Sequence, residues 1–264
     1  MTINKKDIPI FIELIDSLNK VFNKMVMIII QLTPVAVFAL LAKTFATEGV
    51  EVFIPLIKYF LVVVFVLITH FLLTYSILLR LFSNLNIYTF YAKLKALIIF
   101  TFSTSSSNAS IPYTLNTAVQ KYGVDKSFAS FSIPLGATIN MDGTSLYQAV
   151  AAVFIAQALG FDLTFADQLT IILTALLASI GSAAVPGAGM VMLVIVLESV
   201  GFPADKLAIG LALIFAVDRP LDMCRTVINV TGDATVASLV AKSVGKLHDN
   251  PQPKEWDDHY DEVK

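Results

Sequence analysis

Apolar residues run in long blocks along this chain, and polar residues interrupt the blocks at only a few places. A first block covers about residues 21–45, with Pro34 near its middle, and a second covers about 52–82 and is mostly Val, Ile, Leu and Phe. Each exceeds the roughly 20 residues a helix needs to cross a bilayer. Beyond Phe82 the pattern changes. The block at about 92–122 is apolar at its start but reads TFSTSSSNASIP in its middle. A helix at about 126–160 carries GATINMDGT inside it, and the block at about 167–201 is built around SIGSAAVPGAG. A last helix, about 204–245, contains DRPLDMCRTVINVTGD, and residues 246–264 form a charged tail expected to be disordered.

Composition fits a polytopic all-α membrane protein. Charged residues make up 14% of the chain, against about 25% in soluble domains, and the mean hydropathy is +0.77. The net charge of −2 says little, because the distribution of Lys and Arg decides orientation. The single cysteine, Cys224, excludes an intrachain disulfide. No cleavable signal sequence stands out in residues 1–18. Basic residues cluster before the first block, around residue 90, at Lys121 and Lys126, and at Lys242 and Lys246, whereas GFDLTFADQ has none. The positive-inside rule then places both termini in the cytoplasm of a plasma or inner membrane. The Ser-rich block becomes a re-entrant hairpin from inside and the Pro-Gly block one from outside. Each is followed by a helix with a polar centre, which is the inverted-repeat signature of secondary transporters.

The last helix carries the strongest chemical signal. At about 100° per residue, Asp218, Asp222, Arg225, Thr226, Asn229 and Asp233 share one face, with Arg219 at its edge. A charge near the bilayer centre costs about 2.5–3.5 kcal/mol on insertion scales, so five unrelieved charges would cost on the order of 12–17 kcal/mol. They must therefore face a protected polar cavity; a ligand-free salt-bridge network is the alternative. In GATINMDGT, Pro134, Gly136 and Gly143 weaken the helix around Asn140, Met141 and Asp142. Unwound backbone frees carbonyl oxygens, and these, with Asn and Asp side chains, suit a hard cation such as Na⁺. At the Ser-rich tip, the backbone N–H groups of a half-helix N-terminus favour an anionic group such as a carboxylate. His70, alone in an apolar span, reads as a packed or hydrogen-bonded residue, and two glycosylation patterns (Asn108, Asn229) lie at membrane depth. Asp142 and Asp233 also admit the dyad of an intramembrane aspartyl protease. The YD and GxGD motifs of those enzymes are absent, and Arg225 has no role there.

Taken together and in order, SSSNASIP, GATINMDGT, SIGSAAVPGAG and DMCRTVINVTGD closely resemble the dicarboxylate/amino acid:cation symporters, the glutamate transporter homologues, over nearly all of residues 10–245. The resemblance implies a trimeric, elevator-type transporter and a chain that is not an enzyme. Residues 1–50 would be a scaffold-type helix and 51–245 a transport domain with two re-entrant hairpins and discontinuous helices. It implies that Arg225 binds the substrate side-chain carboxylate and Asp222 its amino group. Asn229 with Ser106 and Ser107 would hold the main-chain carboxylate, and Thr144, Thr226, Val185 and Gly189 would close the site. It assigns one Na⁺ to Gly136, Asn140, Asn229 and Asp233, a second to Thr138, Ser179, Ile180 and Ser182, and a third to Asp142 and Asn140. Acidic side chains outnumber the arginines on the last helix, so the site needs cations before it admits an anion. Asp222 beside Arg225 selects a zwitterion with an extra carboxylate, aspartate or glutamate. Proton coupling, to glutamate or a simple dicarboxylate, is the alternative to Na⁺.

Two departures stand out. Relatives carry a second arginine at the place of Ser105 or Met223, whereas here Arg219 lies about one helical turn earlier. Ala184 stands where many relatives have glycine. Residues 1–45 resemble the family's fifth helix, so the expectation is of a truncated or split form lacking the first four helices, with an inactive fragment as the alternative.

Overall fold

A computed structural model describes residues 53–83 and 85–248 and scattered positions between Ile10 and Gly49. It divides into two units, residues 1–50 and 51–264. In the first unit the described positions from Ile10 to Ala46 are helical, and several of them, including Leu14, Val21, Ile28 and Phe38, carry exposed apolar side chains. Pro34, most of the first apolar block and the tail from residue 249 lie outside the described residues.

The second unit is helical throughout. Helix α1 (Phe53–Thr69), a π turn (His70–Thr74) and α2 (Tyr75–Phe82) follow one another without a break. Their apolar run, Ile54–Phe82, is 29 residues long and, among the described residues, is the helix long and apolar enough to cross a membrane. A first hairpin comprises α3 (Ile87–Thr104) and α4 (Ser107–Asn116), extended by a π turn (Thr117–Lys121). Helices α5 (Lys126–Ile139) and α6 (Asp142–Ala158) follow, then a second hairpin of α7 (Phe165–Ile180) and α8 (Ala188–Glu198), and finally α9 (Ala204–Ser243). Among the described residues there is no strand beyond an isolated antiparallel bridge, Val124 to Leu247.

Local chemistry sets the boundaries. Asn86 caps α3, its side chain accepting the Thr89 N–H at 3.1 Å, so the first hairpin begins at residue 87 rather than near 92. Thr164 and Asp167 form a capping box that starts α7 at Phe165, not 167. Asp125 caps α5, and the Ser127 hydroxyl together with the Phe128 N–H hold its carboxyl below the ordinary range. Between α5 and α6 the backbone of Asn140 (φ −101°, ψ 73°) and Met141 (φ −113°, ψ 51°) leaves helical geometry. Pro220 interrupts neither end of the 40-residue α9. The first hairpin turns through Ser105 in a left-handed conformation (φ 51°), the second through Gly187 (φ 79°).

Helix α9 is the axis on which the rest is hung. Its first half shares an apolar cluster with α1, α6, α7 and α8, including Val63, Ile155, Leu193, Ile214 and Leu221. Its second half shares another with α2, α3 and α5, including Leu79, Leu94, Ile133, Val230 and Ala237. The polar stretch of α9 runs between the two. At the far end the chain beyond α9 is clasped to the loop before α5. Asp125 N–H donates to Lys246 O (2.9 Å) and His248 N–H to Gly123 O (2.8 Å). Gly123 is in a left-handed conformation (φ 78°), and a Cβ there would collide with the His248 carbonyl oxygen. Gly123→Ala should therefore lower stability by about 1–3 kcal/mol, measurable as a drop in the thermal unfolding midpoint of the detergent-solubilised protein. An unchanged midpoint would mean that the clasp carries no weight.

Candidate functional site

Helical periodicity turns one face of α9 inward, and Asp218, Asp222, Arg225, Thr226, Asn229 and Asp233 are all buried. Arg219, at the edge of that face, keeps a quarter of its side chain exposed. Arg225 is 2% exposed and lies between two carboxylates. Its Nε donates to Asp222 Oδ1 (2.9 Å), its Nη2 lies 2.7 Å from the same oxygen, and its Nη1 donates to Asp218 Oδ1 (3.3 Å). The guanidinium also sits over the Tyr147 ring, 4.2 Å from its centroid, a cation–π contact. Asp222 is held from the other side as well: its Oδ2 accepts from Arg219 Nη1 (3.2 Å) and from the Gly187 N–H (3.0 Å). Removing one partner from a buried ion pair typically costs about 3–5 kcal/mol, so these groups hold one another in register.

The two hairpin tips meet above this cluster. Ser106 caps α4, accepting the Ala109 N–H at 3.2 Å, and donates its own hydroxyl to Ala184 O at 2.8 Å. The Asn108 N–H donates to the same carbonyl at 3.2 Å. From below, Thr144 at the start of α6 pairs twice with Asn229: its N–H donates to Oδ1 (3.3 Å) and its Oγ1 accepts from Nδ2 (3.0 Å). The enclosed cavity measures about 20 Å³, room for about one water. It is lined by Ser107, Thr144, Val185, Gly189, Asp222, Arg225, Thr226 and Asn229, and also by Ser182 from the expected second Na⁺ group. Of the expected substrate residues, Ser106 alone is outside the lining, and it ties the tips together.

The remaining expected cation residues fall in separate places. Gly136, Asn140 and Asp233 line one groove between α5 and α9, where Asn140 Nδ2 donates to Asp233 Oδ1 at 3.0 Å. Asp233 is buried, and among the described residues no Lys, Arg or His pairs with it. Asp142 instead turns to His70 and Tyr75 in the apolar span. Thr138 and Ile180 are exposed, whereas Ser179 and Ser182 are buried; the Thr138 and Ser179 hydroxyls bond to carbonyls of their own helices. Sequence reasoning passed over Ser105, Met141 and Ala183, which also line the cavity, and over Tyr147 and Gln148. Gln148 donates through Nε2 to Gly189 O at 3.0 Å. The available signal was spacing: Tyr147 and Gln148 stand three and four residues beyond Thr144, on the same helical face.

Comparison with known proteins follows the same residues. The model of the sodium:dicarboxylate symporter family matches residues 1–243. Excitatory amino acid transporter 1 of Rattus norvegicus is 42% identical over 230 residues, 86% of this chain and 42% of the transporter. Excitatory amino acid transporter 3 of Mus musculus is 41% identical over 234 residues, 88% of the chain and 44% of the transporter. The proton/sodium-glutamate symport protein of Bacillus subtilis is 38% identical over 221 residues, 84% of the chain and 50% of that protein. The chain thus spans half or less of the length of these relatives.

The contact between α6 and α9 sets a sharp test. A Cβ on Gly143 would collide with the Arg225 carbonyl oxygen and stand 2.9 Å from both Asn229 Oδ1 and Ile228 Cβ. Gly143→Ala should force the helices apart and destabilise the protein by about 1–3 kcal/mol, read as a lowered unfolding midpoint. A parent-like midpoint would contradict the packing described.

Proposed function

The chain belongs to the sodium:dicarboxylate symporter family, and from that premise we propose that it carries the substrate and cation sites of a secondary active symporter for acidic amino acids, coupled to Na⁺. Family membership makes it part of a membrane transporter and not an enzyme, which retires the protease alternative. The two hairpins are read as re-entrant, entering from opposite faces, and α5–α6 and α9 as the polar-centred helices of an inverted repeat. Residues 51–245 are read as an elevator-type transport domain, and trimer formation as a property of the assembled transporter in the cell membrane.

One observation carries the substrate reading. A buried arginine stands between two aspartates beneath two abutting tips built from Ser106–Ser107 and Ala184–Gly189. An amino acid with a side-chain carboxylate supplies what this arrangement lacks for exchange. Its carboxylate takes the guanidinium as a planar bidentate partner, and its ammonium group takes the Asp222 carboxylate so released. The main-chain carboxylate is assigned to Asn229 and the N-terminus of α4, near Ser107, with Thr144, Thr226, Val185 and Gly189 closing around it. Because the cavity holds about one water, admission requires the tips to part. The second hairpin, turning through small residues and Gly187, is the one read as the gate.

The cation reading rests on Asp233. A buried carboxylate with an amide as its neighbour is costly unless a cation compensates it. Carbonyls of Gly136, Asn140 and Asn229 with Asp233 are assigned one Na⁺. Thr138, Ser179, Ile180 and Ser182 are assigned a second, and Asp142 with Asn140 a third. The Bacillus relative's name couples protons as well as sodium, and protonation of Asp233 is the second reading.

Arg225→Cys should lower aspartate affinity by about 2 kcal/mol or more, roughly 30-fold, while a small neutral amino acid such as serine binds at least as well as in the parent. Competition binding with labelled aspartate checks this, and unchanged aspartate affinity would remove Arg225 from the substrate site. Asp233→Asn should raise the Na⁺ concentration needed for half-saturation and, through linkage, weaken aspartate binding at fixed Na⁺. A Na⁺ titration of aspartate binding that coincides with the parent's would refute that assignment.

A further inference from the structure

Two side chains in the apolar span converge on Asp142 without a place in the reading above. His70 and Tyr75 are five residues apart, a spacing that in an α-helix turns side chains about 140° away from each other. The π turn His70–Thr74 removes that divergence. The Tyr75 N–H donates to His70 O, an i→i+5 bond, and the two rings meet edge to face with centroids 4.9 Å apart. Both then reach the same oxygen. His70 Nε2 lies 2.8 Å and the Tyr75 hydroxyl 2.6 Å from Asp142 Oδ2.

The other carboxylate oxygen is left facing inward. Asp142 Oδ1 accepts the Gly143 N–H at 3.2 Å and looks toward Gly232 on α9. A Cβ on Gly232 would stand 2.6 Å from Asn140 Nδ2, 2.8 Å from the Tyr75 hydroxyl oxygen and 3.3 Å from Asp142 Oδ1. Glycine thus keeps open a small space ringed by these polar atoms. The Tyr75 hydroxyl is also 2.9 Å from Ile228 O, so one buried group bridges the first residue of α6 to the α9 turn that precedes Asn229 and Asp233.

We propose that Tyr75 and His70 are positioning residues that clamp Asp142 by its outer oxygen and thereby set the Na⁺ affinity of the Asp142–Asn140 site. The proposal rests on the cation reading above. Two donors fix the carboxylate's rotation before the cation arrives, so less order is lost on capture. The Tyr75 bridge also transmits the position of Asp142 to the helix bearing Asp233. Partners of this kind, behind a metal ligand, are typically worth about 10–100-fold in affinity.

The test is a Na⁺ titration of the purified full chain, with choline replacing Na⁺ at constant ionic strength, following the thermal midpoint with Na⁺ alone. Tyr75→Phe, which keeps the ring and its packing, should need about 10-fold more Na⁺ for the half-maximal rise. Its midpoint in choline should stay at the parent's, and so should its aspartate affinity at saturating Na⁺. His70→Leu should shift the Na⁺ titration in the same direction, and His70→Gln, which retains a donor, should restore it. Variants that titrate like a Na⁺-responsive parent would overturn the clamp alone. So would a choline midpoint that falls while Na⁺ half-saturation is unchanged, since that is a purely structural role. A parent whose midpoint ignores Na⁺ would overturn the cation reading and the clamp with it.

Discussion

A permanently charged guanidinium buried in an apolar helical protein constrains everything near it. Arg225 cannot shed its proton, and it is fully enclosed, so its partners must be supplied by the fold. Asp218 and Asp222 do so from the same helix, one and two turns' reach away, and Tyr147 supplies a ring face from α6. The rest of the architecture follows from keeping this group both satisfied and reachable. Two apolar clusters grip the two halves of α9 and leave its polar middle between them. The only covers over that middle are two short helix ends, joined by the bonds from Ser106 and Asn108 to Ala184 O. Two hydrogen bonds between tips are a weak seal, since each contributes only about 0.5–1.5 kcal/mol net. The strong interactions sit beneath the seal, where an exchange of partners can use them.

The same logic explains why helices are broken where they are. A continuous helix would bond its own carbonyls at Asn140 and Met141; the break frees backbone oxygens beside a buried carboxylate that has no cationic side chain among the described residues. The π turn in the apolar span is a second local irregularity with a use, because it brings His70 and Tyr75 onto one side against Asp142. Backbone irregularity is concentrated where ions and substrate are assigned, and regular helix fills the remainder.

Much of this was legible in the residues because charge in an apolar context has few interpretations. The face of α9 could be read from its period, and the break near Asn140 from Pro134, Gly136 and Gly143. His70 was read as a hydrogen-bonded residue, and it is one. What escaped was whatever depends on pairing between distant segments. Tyr75 gave no signal, since its link to His70 needs a π turn that no local pattern announced. The starts of the hairpins were set by the caps Asn86 and Thr164, which lie among other polar residues and were passed over. The double bond between Thr144 and Asn229 and the tip-to-tip contact join residues more than 70 positions apart, and no periodicity reports such contacts.

The central claim is that a cation-compensated acidic pocket accepts an acidic amino acid at Arg225. It is tested most directly by the equilibrium affinity of the purified parent chain for labelled L-aspartate as Na⁺ is varied at constant ionic strength. The account predicts an affinity that rises steeply with Na⁺ and is far weaker for succinate, which lacks the amino group that Asp222 would take. An aspartate affinity independent of Na⁺, or equal affinity for succinate, would contradict it.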